Sequence, residues 1–279
     1  MTKHVSNYRE HAAFLKGSNQ PQATAEQMAQ YLAPGLGRNQ HIPLQIFDVG
    51  CGDGTFTFLY LELLKTFIPS MQVTAIEPEI PAYKVLAQRV AENGYNWIRH
   101  DNTTIQQFLK SNAGKSSLYD FILFAHCFYH FPKEEWKPIL DGSIMLLRAG
   151  GLVSIINDSH QGEAYKLKDK VTNGKPATLE YGHLHSAEVI ENALTGNKIK
   201  FDETSFPVYL YIKDNEQRLE MLARHLAFLY RTFPERILTD YSDDLKQMLT
   251  ESLKVGNHFT IENRVKIITF KKPNYSGGL

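Results

Sequence analysis

This sequence has few cysteines, no excess of either sign of charge and no long apolar run, and each of these absences narrows the class of protein. Only two of the 279 residues are cysteines, Cys51 and Cys127, and neither has a partner at metal-ligand spacing. This usage predicts no metal site built on cysteine. It also makes a reducing cytoplasm the simplest compartment.

Neither sign of charge dominates, because 30 lysine and arginine residues balance 30 aspartate and glutamate residues. This balance argues against a nucleic-acid-binding surface spread over the protein. No apolar run approaches the roughly 20 residues that span a bilayer. The first residues, Met1-Thr2-Lys3-His4, lack the apolar stretch of a secretory signal. We therefore expect a cytoplasmic protein whose partners include no nucleic acid and no membrane.

The sequence does contain the alternation of strands and helices that is typical of an α/β fold. Five apolar segments are predicted to be strands, at residues 44–49, 73–76, 97–99, 120–125 and 152–156. Helical periodicity separates each strand from the next, which indicates a mostly parallel sheet with right-handed crossovers. Two later strands, at 201–212 and 259–270, bring the predicted sheet to seven strands, with helices on both faces.

Changes in composition and periodicity along the sequence divide the chain into four segments. Residues 1–41 are polar with short helical patterns, and we predict that they form an N-terminal helical substrate lid. Residues 42–156 form the cofactor-binding core. The alternation stops after that point, so 157–256 is predicted to be an elaboration that covers the ligand site. Residues 257–279 supply the final core strand and the tail.

A glycine-rich loop with the sequence Asp-Val-Gly-Cys-Gly-Asp-Gly follows the first predicted strand and precedes a helix. Glycine lets a backbone turn tightly and approach a ligand without a Cβ clash. The G-x-G-x-G spacing of Gly50, Gly52 and Gly54 differs from the dinucleotide fingerprint, and the loop lacks the ending of a P-loop. Asp48 would repel a pyrophosphate but suits the cationic amino acid end of S-adenosylmethionine. The loop therefore predicts S-adenosylmethionine as the cofactor.

Polar residues follow the next two predicted strands. Glu77 ends the second strand, where a carboxylate can accept hydrogen bonds from both hydroxyls of a ribose. The competing interpretation is that Glu77 caps the turn that follows it. Asp101, Asn102 and Thr103 come after the third strand. We predict that this turn binds the adenine amino group, with Asp101 favoured over Thr103, and a solvated turn is the alternative.

Together these motifs resemble the class I S-adenosylmethionine-dependent methyltransferase family over residues 44–156. The acidic glycine loop, the acid that ends strand two, the polar turn after strand three and Gly150-Gly151 before strand five all match. The resemblance implies an α/β Rossmann-like methyltransferase fold and S-adenosyl-L-methionine as the cofactor. It also implies that Ala125, at the end of strand four, contacts the cofactor.

The residues that follow the fourth strand carry the predicted chemistry. In such a sheet the ligand lies beyond the carboxyl ends of the strands, so His126, Tyr129 and His130 reach the reacting centre. Methyl transfer depends on holding the acceptor lone pair in line, and an imidazole can deprotonate or orient an amine. We predict that these three residues are catalytic. The alternative for Tyr129 and His130 is that they only pack under the next loop. The two histidines have no apparent third ligand, so a metal site is not predicted.

Beyond the core, the chain resembles the histamine N-methyltransferase family over almost its full length. Residues 8–15 with Ser18-Asn19-Gln20 resemble that family's first helix and substrate-contacting turn, and residues 262–264 resemble its final strand. The resemblance implies a substrate site formed by Tyr8, Phe14, Gln20, His126, Tyr129 and Asn263. That family has glutamate at the position of Gln20, and tryptophans where residues 160–167 have none. We therefore expect a different small amine or amino-acid-like acceptor.

Other functions stay open at this point. A small-molecule O-methyltransferase would use His126 or His130 as general base for a hydroxyl. A non-catalytic protein would bind S-adenosylmethionine without turnover. RNA and protein methyltransferases often carry a basic face or an added domain, and the sequence indicates neither. Methyltransferases that act on DNA bases usually carry an Asn/Asp-Pro-Pro-Tyr/Phe tetrapeptide, which this sequence lacks after the fourth predicted strand. We expect a small-molecule methyl acceptor and a monomer or homodimer.

Overall fold

The computed structural model describes residues 14–36, 43–115, 118–172, 185–230 and 232–272. Its strands are β1 (Leu44–Val49), β2 (Met71–Ile76), β3 (Ile98–Asp101), β4 (Tyr119–Ala125), β5 (Leu147–Asp158), β6 (Asp202–Lys213), β7 (Leu253–Val255) and β8 (His258–Lys271). Its helices are α1 (Gln20–Leu36), α2 (Thr55–Lys65), α3 (Ile80–Glu92), α4 (Ile105–Ser111), α5 (Lys133–Leu146), α6 (Glu163–Thr172), α7 (Ala187–Gly196), α8 (Arg218–Tyr230), α9 (Pro234–Asp240) and α10 (Ser242–Glu251).

The strands form one sheet in the order β3-β2-β1-β4-β5-β8-β6. The first five strands of that path run parallel to one another. β8 runs antiparallel between β5 and β6, and the short β7 pairs with the beginning of β8. The prediction of a mostly parallel seven-stranded sheet is confirmed, with β7 as one additional short strand.

Both faces of the sheet are buried, which explains why its central strands are apolar along their whole length. The consecutive residues Ile46 and Phe47 are both 0% exposed, although neighbouring side chains of a strand point to opposite faces. α1 and α2 pack on the face of Ile46, whereas α4, α5 and α7 pack on the face of Phe47. The parallel strands therefore end at a common edge, where the loops after them meet.

A third apolar cluster lies beyond the end of β5. α6, α8, α9 and α10 pack there against Leu210 and Ile212 of β6 and Ile261 of β8, together with Phe14. Among the described residues, no helix combines the length and apolar character needed to cross a membrane.

β6 is an edge strand of the central sheet, and α7 packs on the face of that sheet. The sequence predicted residues 201–212 as a strand of the sheet, within a segment 157–256 that was predicted to cover the ligand site. In that segment α6 and α8 to α10 form the third apolar cluster, and their covering role remains a prediction. The structure also contains a helix at Pro234–Asp240 that the sequence pattern did not indicate.

Candidate cofactor and acceptor site

The glycine loop after β1 depends on backbone conformations that favour glycine. Gly50, Gly52 and Gly54 have φ values of +67°, +59° and +81°, a region that L-residues with a Cβ rarely adopt. A Cβ added to Gly50 would lie 2.8 Å from the Cβ of Cys127, whereas a Cβ added to Gly52 would meet nothing within 4 Å. The loop therefore packs closely on the β4 side at Gly50 and leaves open space at Gly52.

Glu77, at the end of β2, holds the glycine loop in place. Its Oε2 accepts a hydrogen bond of 2.8 Å from the amide of Gly52, and its Oε1 accepts one of 2.8 Å from the amide of Glu79. The side chain is buried, and burial raises the pKa of this carboxyl. Glu77 therefore does cap the turn that follows it. Because a carboxylate offers about four acceptor positions, these two bonds leave capacity for ribose hydroxyls.

Asp48 is buried near the end of β1, just before the glycine loop. The residue is 1% exposed, and its Oδ2 accepts hydrogen bonds from Thr57 Oγ1 at 2.7 Å and from the hydroxyl of Tyr60 at 3.3 Å. Burial raises the pKa of this carboxyl to about 6. Asp48 therefore joins β1 to α2, and its contact with the cofactor remains a prediction.

The polar turn after β3 lies beside Glu77. The amide of Asn102 donates to the backbone oxygens of Glu77 at 2.8 Å and Pro78 at 3.1 Å, so it joins the turns after β2 and β3. Asp101 forms an ion pair of 3.2 Å with Arg99, and Thr103 donates to Gln107 at 3.2 Å. The sequence analysis missed the next residue, Thr104, which caps α4 in a capping box with Gln107. Contact between this turn and adenine remains a prediction.

The end of β4 brings His126 next to the glycine loop. The Cys127 thiol donates to the backbone oxygen of Val49 at 3.0 Å, which places this turn against the end of β1. Ala125 ends β4 just before it, and contact between Ala125 and the cofactor remains a prediction. His126 has a φ of +50°, and its amide donates to Ile156 at 2.9 Å. A non-glycine residue held in this region often marks a functional position.

His126 belongs to a polar cluster with Gln20 and Asp158. The Gln20 Nε2 lies 3.0 Å from the His126 Nε2 and donates to the Asp158 Oδ1 at 3.2 Å. The His126 Nδ1 is 4.0 Å from the same carboxylate oxygen. Gln20 and His126 were predicted from the sequence, but Asp158 was not. The signal that could have pointed to Asp158 is its position at the end of β5, the strand that pairs with β4.

Burial moves the two titratable groups of this cluster in opposite directions. It lowers the pKa of the His126 imidazole to about 4, so the ring is neutral at pH 7. It raises the pKa of the Asp158 carboxyl to about 7, against the opposing effects of Lys168 and of the hydrogen bond from Gln20. The neutral imidazole can accept a hydrogen bond, and a carboxyl that titrates near neutrality can accept a proton.

A cavity of about 500 Å³ opens beside this cluster, between the ends of β4, β5 and β8 and the helices α6 and α8. It is lined by Tyr129, Asn157, Asp158, Ala164, Tyr165, Lys168, His185, Phe228, Leu229, Tyr230 and Asn263. His130 follows Tyr129 in a short 3-10 turn, with the two ring centroids 4.3 Å apart. Within the described part of the chain, the lining residues include neither His126 nor His130. His126 lies beside the wall through its cluster with Asp158, and the catalytic role of His130 remains a prediction.

The other predicted substrate residues lie at different depths around the cavity. Asn263 is 7% exposed, and its Oδ1 accepts no hydrogen bond from the residues that the structure describes. Phe14 packs against Phe228, with ring centroids 5.2 Å apart, and lines a smaller cavity of about 240 Å³ together with Gln20 and Asn263. Tyr8 lies outside the described residues. No three His, Cys, Asp or Glu side chains within the described ranges are grouped to hold a metal ion.

The comparisons with known proteins agree with this architecture. Residues 47–153 match the family model described as a methyltransferase domain. No curated protein matches the sequence. The YcgJ protein of Bacillus subtilis has a similar fold, with a TM-score of 0.52 at 13% identity over 88% of this chain and 99% of that one.

Two further solved structures share the fold at low identity. The cyclase SpnF matches with a TM-score of 0.54 at 13% identity, over 88% of this chain and 80% of that one. The plantazolicin methyltransferase BpumL, solved in complex with S-adenosylhomocysteine (SAH), matches with a TM-score of 0.50 at 16% identity, over 95% and 91% of the two chains. A cyclase among these neighbours shows that the fold does not decide the reaction. Residues 47–153, which run from β1 into β5, therefore match a methyltransferase domain in sequence, and the solved structures named above share the fold.

Proposed function

We propose that this protein transfers a methyl group from S-adenosylmethionine to the nitrogen of a small-molecule amine. The observation that carries the proposal is the cluster of Gln20, His126 and Asp158, which lies beside the glycine loop, with Asp158 in the wall of the adjoining cavity. Clefts that combine apolar walls with a few convergent polar groups are typical sites for small molecules. The cluster supplies acceptor groups where an amine would have to lose a proton.

The residues around the glycine loop fit the cofactor. The open space at Gly52 admits a ligand close to the backbone, while Asp48 and Glu77 make the surroundings negative. Such a field favours a cationic sulfonium nucleoside over a diphosphate. We propose that the loop, Glu77 and the turn at Asp101, Asn102 and Thr103 hold it. When bound, S-adenosylmethionine supplies an electrophilic methyl carbon, to which the amine lone pair bonds while the breaking bond's electrons stay on sulfur.

The acceptor side must deliver the amine neutral and in line. We propose that Asp158 takes the proton of a bound ammonium, because its pKa of about 7 is matched to that transfer. His126 stays neutral and accepts a hydrogen bond from the amine or from Gln20. The proton lost from the ammonium therefore moves to Asp158 and then to water, and the methylated product leaves as an ammonium.

The resemblance to the histamine N-methyltransferase family supports the choice of nitrogen. Gln20 and His126 share one polar cluster, and Tyr129 and Asn263 line the cavity beside it. These residues come from three distant segments of the chain, around positions 20, 126–129 and 263, so the meeting of the segments at one place is not a consequence of chain connectivity. It agrees with the substrate site that the resemblance implies.

A turnover screen of the full chain tests the proposal. Small primary and secondary amines, amino acids and phenols would be offered with S-adenosylmethionine, with SAH as the readout and mass spectrometry and NMR to locate the methyl group. We expect N-methylated product from at least one amine. Methylation of hydroxyl oxygen alone would contradict the proposal and favour the O-methyltransferase. Tight cofactor binding without turnover on any acceptor would instead support a non-catalytic protein.

A further inference from the structure

A residue of α3 contacts the far end of the glycine loop. Arg89, in the last turn of that helix, donates from its Nη1 to the backbone oxygen of Asp53 at 3.1 Å and to the Thr55 Oγ1 at 2.7 Å. The same nitrogen lies 3.4 Å from the Asp53 Oδ1, and the Asp53 side chain is buried. Arg89 therefore joins α3 to the point where the loop runs into α2.

The turn that Arg89 contacts is built around Gly54. This glycine has a φ of +81° and no side chain that could bond the first amides of α2. The Asp53 Oδ1 bonds one of these amides instead, because it accepts a hydrogen bond of 2.9 Å from the Thr55 amide. Glycine has the greatest backbone freedom of all residues, so contacts to Asp53 and Thr55, on either side of it, restrict its conformation.

One segment of the chain thus holds the loop at two points. Glu77, just before α3, accepts a hydrogen bond from the Gly52 amide, and Arg89, near the end of α3, bonds Asp53 and Thr55. A loop that is already fixed in its binding shape loses less conformational entropy when a ligand binds, which raises the affinity. Both contacts should therefore contribute to binding at the loop.

We propose that Arg89 is a positioning residue for the S-adenosylmethionine site, acting on the cofactor through Asp53 and Thr55 of the glycine loop. This inference rests on the cofactor part of the proposed function, because it requires the loop to hold S-adenosylmethionine. A guanidinium suits the role, since its planar set of donors can bond several acceptors at once. Loss of Arg89 should loosen the loop and weaken the cofactor complex.

Calorimetry with SAH on the full chain tests the inference without any knowledge of the methyl acceptor. Arg89→Leu should raise the Kd of SAH about 10-fold, the lower end for a hydrogen bond to a charged group, because the Arg89 side chain is 37% exposed. Arg89→Lys keeps the charge and should recover most of the loss. Lys84→Met is the matched control, because Lys84 is an exposed cation on the same helix, and it should leave the Kd within about twofold.

Thr55→Val separates the contact with the loop from the stability of α3. It removes the hydroxyl that Arg89 bonds and leaves Arg89 in place, and it should raise the Kd of SAH about threefold. Combined with Arg89→Leu it should add no further loss, since both substitutions break one contact. Additive losses would show that the two residues act independently, contrary to the inference.

Urea unfolding without ligand distinguishes a positioning role from a merely structural one. An Arg89→Leu protein that is less stable but binds SAH as tightly as the unmodified chain would overturn the inference and leave the proposed cofactor intact. If Arg89→Leu does not fold, Thr55→Val decides, and an unchanged Kd there has the same meaning. An unmodified chain that does not bind SAH would instead contradict the cofactor part of the proposed function.

Discussion

The two halves of the site are built in different ways. On the cofactor side, Gly50, Gly52, Gly54 and Glu77 come from one short stretch of chain and are joined by backbone hydrogen bonds. On the acceptor side, Gln20, His126, Asp158 and Asn263 come from four distant segments. Gln20 and Asn263 each keep a buried side-chain oxygen that accepts no hydrogen bond from the described residues.

This difference separates a preformed surface from one that a ligand completes. The amides and the carboxylate of the cofactor side satisfy each other, so the loop has its shape before anything binds. The acceptor side contains unfilled acceptors, the strained backbone of His126 and two shifted pKa values. Buried polar groups without partners and backbone outliers concentrate where a ligand binds. Four predictions test the contrast, from the largest expected effect to the smallest.

The close contact at Gly50 gives the largest expected effect. Gly50→Ala should destabilise the protein by about 2–4 kcal/mol, because its Cβ would need both a left-handed backbone and the space held by Cys127. Urea unfolding measures this loss, and calorimetry with SAH should show weakened binding. Gly52→Ala is the matched control and should cost only about 1–2 kcal/mol for the backbone conformation. Equal effects of the two substitutions would show that the contact with Cys127 is not limiting.

His126 should separate chemistry from cofactor binding. We expect His126→Ala to lower kcat for methyl transfer about 100-fold, because the acceptor loses a neutral proton or hydrogen-bond acceptor, while the SAH affinity stays within about threefold. Steady-state kinetics and calorimetry measure the two quantities. His258→Ala, at an exposed position in β8, should change neither. A parallel loss of turnover and SAH affinity would assign His126 to the cofactor side.

Asp158 should make the unmodified protein less stable as the pH rises. Its folded pKa of about 7 exceeds the ordinary value of 3.8, so between these values the folded state binds more protons than the unfolded state. Stability therefore falls as the pH rises from about 4 to 7. Asp158→Asn removes this term and should increase the free energy of unfolding at pH 8 by up to about 4 kcal/mol.

The gain from Asp158→Asn should disappear near pH 4, where the aspartate is protonated in the folded state. Urea titrations at the two pH values measure the difference. Asp141→Asn, on the exposed face of α5, is the matched control. A variant that loses stability at pH 8 would show that Asp158 is stabilised as a carboxylate, contrary to the burial argument.

The smallest effect is expected at Asn102. Asn102→Ala removes two hydrogen bonds from the side-chain amide to the turn after β2, and should cost about 1 kcal/mol of stability and a few-fold in SAH affinity. Thermal unfolding and calorimetry measure both. Asn93→Ala removes a hydrogen bond at the exposed end of α3 and should leave SAH affinity unchanged. An Asn102 variant with full affinity would favour the solvated-turn interpretation.

The parts of the fold that were predictable are those whose cause is local. β1 was predicted at its observed bounds, because a segment with the apolar residues Leu44, Ile46, Phe47 and Val49 runs directly into glycines. The helix at Pro234–Asp240 and the place of β6 at the sheet edge were not predicted. A helix of seven residues gives little periodic signal, and a strand's place in a sheet depends on pairing with distant residues such as those of β8.

The site divides in the same way. The glycine turn after β1 and the place of Glu77 directly after β2 were predicted from the sequence, since φ values and strand ends follow from neighbouring residues. The burial of Asp48, the partnership of Asp158 with His126 and the approach of Lys168 to the cavity were not found. Each depends on which side of a strand or helix faces another element.

The sequence by itself therefore determined the fold class and the turn of the glycine loop, because short-range backbone constraints leave few ways to build that turn, and the same loop carries the prediction of the cofactor. Only the tertiary structure decided which charges share the acceptor cavity. Gln20, Asp158, Lys168 and Asn263 are separated by up to 243 positions in the chain, and burial acts on their charges only once folding has brought them together.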